Sequence, residues 1–474
     1  MKLRYLSTLI GITLAVSGCA TSFRDYQAPA SPEALDTVAL QQADNARLKV
    51  DTAPVTDWWY EFNDSLLTDL IDQAMVANPD VRIAYANLQE ARALSREVGY
   101  DRQPSVNATG DYSRNLNSQE TVSGNSLPRS NNSYQAGFDA SWELDLFNRV
   151  SSRIEAQAAL TESVQADLQQ IYVTIAAEVA RAYVDLRGAQ HRLDIAERNQ
   201  QNQAETYQLT QVLLDGGRAT ALDVSRAKTQ LTLTSATVPP LQAAVVTAIN
   251  RLSVLTGQVP NALQSDLTEK MPLPELPVTV AVGDASSLLK RRPDIRSAER
   301  TLAASVSSYN VAVTDLFPTV RLLGSLGFVA TNLSSFGTTA LAGALGPSLE
   351  WQVFNRDSVR ARIDQADARS QAQLAFYDKT VLAALEETQS AISNFAREEE
   401  RRAALQQAAK SAAHSAELAK QRFDQGYDDF LDMLDAERTL LATEDTLANS
   451  EIASVLNLIA IYKSLGGGWQ VNSE

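Results

Sequence analysis

The chain has 474 residues, one Cys, two His and a formal net charge of −16, with a pI near 4.8. The acidic balance argues against a nucleic-acid partner, which asks for a basic patch. A single Cys excludes an intrachain disulfide and argues against a Cys-based metal site.

Lys2 and Arg4 precede an apolar run, Leu6 to Val16. The run has the length of a signal-peptide core and is too short to span a bilayer. Val16-Ser17-Gly18-Cys19 follows. Small residues directly before a Cys resemble a bacterial lipoprotein cleavage site. Residues 1–18 are therefore expected to be a signal peptide, with Cys19 as the acylated (palmitate-bearing) first mature residue. Each buried CH₂ of such a chain anchors by about 0.8 kcal/mol. An ordinary signal peptide with a chance Cys is the plainer alternative. Ala20 in place of Asp favours the outer membrane, by the same resemblance. No other run approaches about 18 apolar residues, so no transmembrane helix is predicted.

Residues 19–56 read as a lipidated, extended Pro/Ala/Asp-rich segment. A helix is predicted from Asp57-Trp58-Trp59, with Leu66, Leu67, Leu70, Ile71 and Ala74 on one stripe. A second begins at Asn78-Pro79-Asp80 and runs to about Tyr100. After Pro104, residues alternate in polarity through Val106 to Ser113. A loop covers 116–132, and alternation returns from Tyr134 to Leu144. Each arm of this hairpin (104–146) is about the 9–11 residues of a transmembrane β-strand. At Trp142-Glu-Leu-Asp-Leu-Phe147-Asn-Arg149 the strand hands over to a helix reaching about Leu214, on the order of 100 Å long. Asp215-Gly216-Gly217 breaks it. A return helix from Thr220 to Leu255 is expected to be interrupted at Pro239-Pro240. Residues 258–283 read as a Pro-rich linker.

The pattern then restarts. Arg292-Pro293-Asp294-Ile295-Arg296 echoes Asn78-Pro79-Asp80-Val81-Arg82, and Pro318 echoes Pro104. A second hairpin (318–354) alternates through Val320 to Phe328 and Leu345 to Val353. Its loop spans 331–342, and Pro347 is placed near a strand end. The joint recurs at Leu349-Glu-Trp351-Gln-Val-Phe354-Asn-Arg356. A long helix from about Asp357 to Asp424, a break at Gly426 and a return helix from Asp429 to Leu465 follow. The near-constant offsets argue for an internal duplication: 57–257 as first repeat (helix pair 148–255), 284–465 as second (helix pair 357–465), and 466–474 as tail.

Four strands per chain in lipid leave two open edges whose unpaired backbone groups cost several kcal/mol each. The smallest transmembrane barrels have eight strands. At least two copies must therefore associate. Ala-rich stripes on helices near 65 residues suit a water-filled helical tube rather than one compact domain.

These residues resemble the TolC-like outer-membrane efflux proteins, in their lipoprotein (OprM-like, NodT-type) branch. The resemblance is carried by the lipobox ending at Cys19, Asn78-Pro79-Asp80, Arg292-Pro293-Asp294-Ile295-Arg296 and Trp142-Glu-Leu-Asp-Leu-Phe147. Leu431-Asp432-Met433-Leu434-Asp435-Ala436 and Tyr462-Lys463-Ser464-Leu465-Gly466-Gly467-Gly468-Trp469 complete it. Asn148 departs from the family's Gly and is expected to serve as a helix cap.

The resemblance implies an α+β membrane protein: a homotrimer whose 12-stranded outer-membrane β-barrel continues into a 12-helix periplasmic α-barrel. It implies an exit duct of a tripartite efflux system exporting small molecules such as drugs or toxic compounds. Its partners would be a periplasmic adaptor (membrane fusion) protein and an inner-membrane pump of the RND type. The alternatives are a duct for type I protein secretion and a surface lipoprotein without a pore.

Mapped onto this chain, the family's periplasmic gate falls on Leu431, Asp432, Asp435 and Asp223. Phe423 and Asp428 stand where TolC-like relatives carry a tyrosine and an arginine, so Arg218 or Arg422 is expected to supply the pairing charge of the latch. Rings of Asp would favour cations. A solvated helix face is the bland account of the same two aspartates. No nucleophile elbow, P-loop or metal-spaced cluster is present. His191 and His414 lie far apart, and four Met make no soft-metal relay, which leaves a metal-exporting pump open as partner. No enzyme activity, and no cofactor beyond the lipid on Cys19, is expected.

Overall fold

The computed structural model describes residues 23–29, 47–49, 55–118, 120, 129–283, 291–427 and 429–469. Cys19 and Asp428 lie outside them. The chain divides into two compact units. One falls within Met1–Pro29, Asn87–Gln165 and Ser297–Asp378, the other within Ala30–Ala86, Ala166–Arg296 and Lys379–Glu474.

The first unit holds the sheet. Strands β2 (Ser105–Leu116), β3 (Ser130–Leu144), β5 (Thr319–Ala330) and β6 (Leu341–Glu350) run antiparallel in the order β2-β3-β5-β6. Register puts Val106, Tyr112, Phe138, Leu326, Leu345 and Leu349 on one face, all exposed. Asn107, Thr109, Asp139, Glu143, Arg321 and Ser325 share the other, where Thr109 donates to Asp139 at 3.0 Å and Arg321 pairs with Glu143 at 3.4 Å. Gly137 pairs with Gly327 on that polar face. A Cβ on either would sit 2.7–2.8 Å from the other's Cα, so neither of these two positions has room for a side chain.

The alternation located the strands but not all their ends. β3 starts before Tyr134, and β6 opens at Leu341 and stops at Glu350, short of Trp351 and Val353. Trp351 instead turns its indole N–H to the Leu316 carbonyl at 3.0 Å, as Trp142 does to that of Arg102. Pro347 lies inside β6, opposite Leu322. It is tolerated there because β6 is an edge strand of this sheet.

Helices α2 (Pro79–Gly99) and α6 (Pro293–Thr314) precede the hairpins, and α3 (Arg149–Asp215) and α7 (Arg356–Asp424) follow them. At the first joint Asn148 has φ +59, the left-handed turn a Gly would supply. The cap is Asp145, whose carboxylate accepts from the amides of Val150 and Ser151 at 2.9 Å and from the Ser151 hydroxyl at 2.6 Å. Burial pushes that carboxyl up, but these hydrogen bonds outweigh it and hold it below the usual range. The expectation of Asn148 as cap thus moves three residues back.

The N-terminal segment docks in the same unit. Phe23 stacks on Phe317, which stacks on Phe147. Arg24 lies over the Tyr309 ring, pairs with Asp367 at 2.5 Å, and has its backbone held at both N–H and C=O by the Asn310 amide.

The second unit holds the main core. Trp58, Leu67, Ile71, Tyr183, Leu252, Phe395, Leu458 and Tyr462 are buried together, with Trp58 stacked on Tyr462 at 5.1 Å. Trp58–Phe62 is a 3-10 turn; α1 (Ser65–Ala77) begins later than expected, because Asp64 caps it through Leu67. The return helices are α4 (Ala221–Leu255) and α8 (Phe430–Ser464). Pro239-Pro240 does not interrupt α4: both prolines are exposed, while Val238 packs against Leu193 and Ala196 of α3. By length and composition α4 is apolar enough to cross a membrane, which the reading by apolar runs did not register. The stretch read as a linker is folded in. It contains α5 (Gln264–Leu267) and β4 (Val280–Ala281), which pairs in parallel with β1 (Leu48–Lys49), and it buries Leu263, Leu267, Val280 and Val282.

Asn78 and Arg292 explain the echoed motifs. Asn78 donates to the Leu255 carbonyl at 2.8 Å, and Arg292 to that of Ser464 at 2.8 Å. Each satisfies an orphan carbonyl at a return helix's C-terminus.

Candidate functional site

Two turns in the second unit join α3 to α4 and α7 to α8, and they are built alike. Gly217 (φ +71) and Gly426 (φ +78) take the left-handed position. Gly217 donates to Leu214 and Arg218 to Leu213; Gly426 donates to Phe423 and Tyr427 to Arg422. This paired bonding is the Schellman termination.

The helix starts are also capped. Thr220 and Asp223 form a capping box: the Asp223 amide donates to Thr220 Oγ1 at 3.2 Å, and Asp223 Oδ2 accepts from the Thr220 amide at 2.9 Å and hydroxyl at 2.6 Å. The Thr220 hydroxyl, more than any other cause, holds the Asp223 carboxyl below the usual range. Asp429 caps α8 by accepting from the amides of Leu431 at 2.9 Å and Asp432 at 3.1 Å.

These caps aim the predicted residues outward. Leu431 is 48% exposed, and Asp432 and Asp435 are exposed one turn apart. Beneath them Phe430, Met433 and Leu434 are buried with Ala227, and Phe423 meets Phe430 edge-on at 5.9 Å. Phe423 is thus a packing residue. Arg218 reaches the second turn, where a Cβ on Gly426 would lie 3.8 Å from its Nη2. Arg422 is exposed, and its carbonyl holds the second turn. Among the described residues Arg226 lies beside Asp223, at 3.8 Å. Its three-residue spacing from Asp223 was the sequence signal for it.

A further residue escaped the sequence reading. Glu437 continues the buried stripe of Phe430, Met433 and Leu434 at helical spacing, an acid on an apolar face. Gln203 of α3 donates to its Oε2 at 2.9 Å, and Thr206 to its Oε1 at 3.4 Å. The α3–α8 seam continues through Asn199 to Glu444 at 3.4 Å and Arg192 to Asp445 at 2.9 Å. Among the described residues no group of His, Cys, Asp or Glu is arranged to hold a metal ion.

The chain thus holds one two-faced sheet in its first unit and helices of 67 and 35, then 69 and 35 residues, in duplicate order. The chain belongs to the outer membrane efflux protein family, whose model matches residues 70–258 and again 285–467. It is similar to the solved outer-membrane channel OprN, at 41% identity over 94% of this chain and 99% of that one, with a TM-score of 0.85. The cation efflux system protein CusC of Escherichia coli is 28% identical over 97% of this chain and 98% of its own length. The antibiotic efflux pump outer membrane protein ArpC of Pseudomonas putida is 29% identical over 97% of this chain and 95% of its own. The protein is an outer-membrane efflux channel component with a periplasmic extension, and it is not an enzyme.

Proposed function

We propose that three copies form a 12-stranded barrel continued by a 12-helix tube, the exit duct of a tripartite system that exports small molecules such as drugs or toxic compounds. The observation that carries this reading is the sheet β2-β3-β5-β6, apolar on one face, mostly polar on the other and open at both edges. In hydrocarbon each unpaired edge group costs several kcal/mol, so β6 of one copy would pair with β2 of the next. Phe354 supports the same assembly: it is 99% exposed, whereas Phe147 at the first joint is stacked on Phe317. Exposed Leu222, Leu233 and Val246 on α4 suit a neighbour's helix.

Leu431, Asp432, Asp435 and Asp223 would narrow the periplasmic end, with Arg218 or Arg422 bracing it between copies. A periplasmic adaptor and an inner-membrane pump of the RND type would dock on that side. The Cys19 lipid would anchor beside the barrel. Four residues reach at most about 14 Å, and Phe23 is fixed on Phe317, directly before β5. In cells with no other duct, deleting the chain should raise ethidium accumulation several-fold. Wild type should restore export fully and Cys19→Ser less well. Accumulation unchanged by the deletion would sink the proposal.

A further inference from the structure

We propose that Glu437 is a positioning residue of the gate: seated between Gln203 and Thr206, it holds the tip of α8 against α3 in the closed duct, and taking up a proton tightens that hold. This rests on the gate reading above and adds to it a residue and a control.

Gln203 is 1% exposed and Thr206 7%, while Glu437 itself is half-buried, so opening the seam would carry Glu437 from a partly shielded site into water. The site is imperfect for a carboxylate. Gln203 Nε2 donates to it well at 2.9 Å, Thr206 only weakly at 3.4 Å. Gln203 Oε1 is buried with no hydrogen-bond partner. A protonated carboxyl has an O–H to give to that oxygen, and it carries no charge to bury. The neutral form therefore has a donor to offer that oxygen, which the ionised form lacks. The packed elements pull the other way: α3 faces Glu437 with uncharged Gln203 and Thr206, whose hydrogen bonds favour the ionised form, and α7 with Lys420, whose charge does the same. Burial dominates and raises the carboxyl above the ordinary glutamate range.

The sign follows from linkage. The closed seam binds the proton more tightly than an opened, hydrated one. Its hold is complete below the ordinary glutamate value and weakens as pH rises through the raised one.

The test is single-channel recording of the lipidated trimer from about pH 4 to about pH 8, a range that spans the ordinary glutamate value and the region above it. Wild type should open several-fold more often at the alkaline end. Glu437→Gln, isosteric and unable to ionise, should stay at the acid level throughout, and Glu437→Ala should open at every pH. Far-UV circular dichroism checks that each variant is folded. Glu437→Gln following the wild-type profile overturns the inference. If Asp432→Ala/Asp435→Ala leaks while Glu437→Gln behaves as wild type, the gate stands and Glu437 is not its control. A folded trimer conducting in none of these forms removes the channel reading, and this inference with it.

Discussion

Asn78 and Arg292 do one job with different chemistry, and Arg292 takes the larger risk. Its side chain is 8% exposed, with Nη2 at 2.7 Å from Asp294 and Nη1 at 2.9 Å from Glu387. Burial disfavours its charge, yet the two carboxylates outweigh that and raise its pKa. Arg292→Met should lower stability by about 2–3 kcal/mol, at the low end for a broken buried pair because Glu387 is itself 42% exposed. A thermal midpoint by circular dichroism equal to wild type would contradict this. Asn78-Pro79-Asp80 and its echo were legible as helix starts. Their reach to the far end of another helix was not, because only the folded chain brings Leu255 and Ser464 beside them. Asp145 escaped for a related reason: its neighbour Asn148 also fits the preferences of a cap, and only backbone φ separates the two roles.

At the scale of elements, the tips are fixed locally and were read locally. Gly217, Gly426, Thr220 and Asp429 each act within a few residues. Thr220→Ala removes the capping box and should cost the start of α4 about 1 kcal/mol. Asp223 is held low in the fold, so its contribution is present above the ordinary carboxylate value and lost as pH falls through the lowered one. In Thr220→Ala its titration should move up toward the ordinary value, and amide exchange at residues 221–226 should speed up. An unmoved titration would mean the box is not its cause. Pro239-Pro240 failed as a break because Val238 packing on α3 outweighs two missing backbone bonds. Strand ends slipped by a few residues, since alternation continues past the last paired residue. Glu437 escaped the sequence reading, because a single acid in an apolar stripe of α8 has meaning only beside Gln203.

At the scale of the whole molecule, the sheet edges and the helix tips make one demand. A sheet with an apolar outer face cannot end in lipid, and helices with one buried stripe and exposed Leu222, Leu233 and Val246 ask for neighbours. The proposed assembly would answer both, and the tips would then meet around an axis lined by Asp432 and Asp435. The measurement that tests this most directly is single-channel conductance of the purified, lipidated protein in a planar bilayer, wild type against Asp432→Ala/Asp435→Ala. The account predicts small, cation-selective, mostly closed events that enlarge and lose cation preference in the variant. A folded, inserted assembly that conducts in neither form, or whose conductance and selectivity ignore the two aspartates, would contradict it.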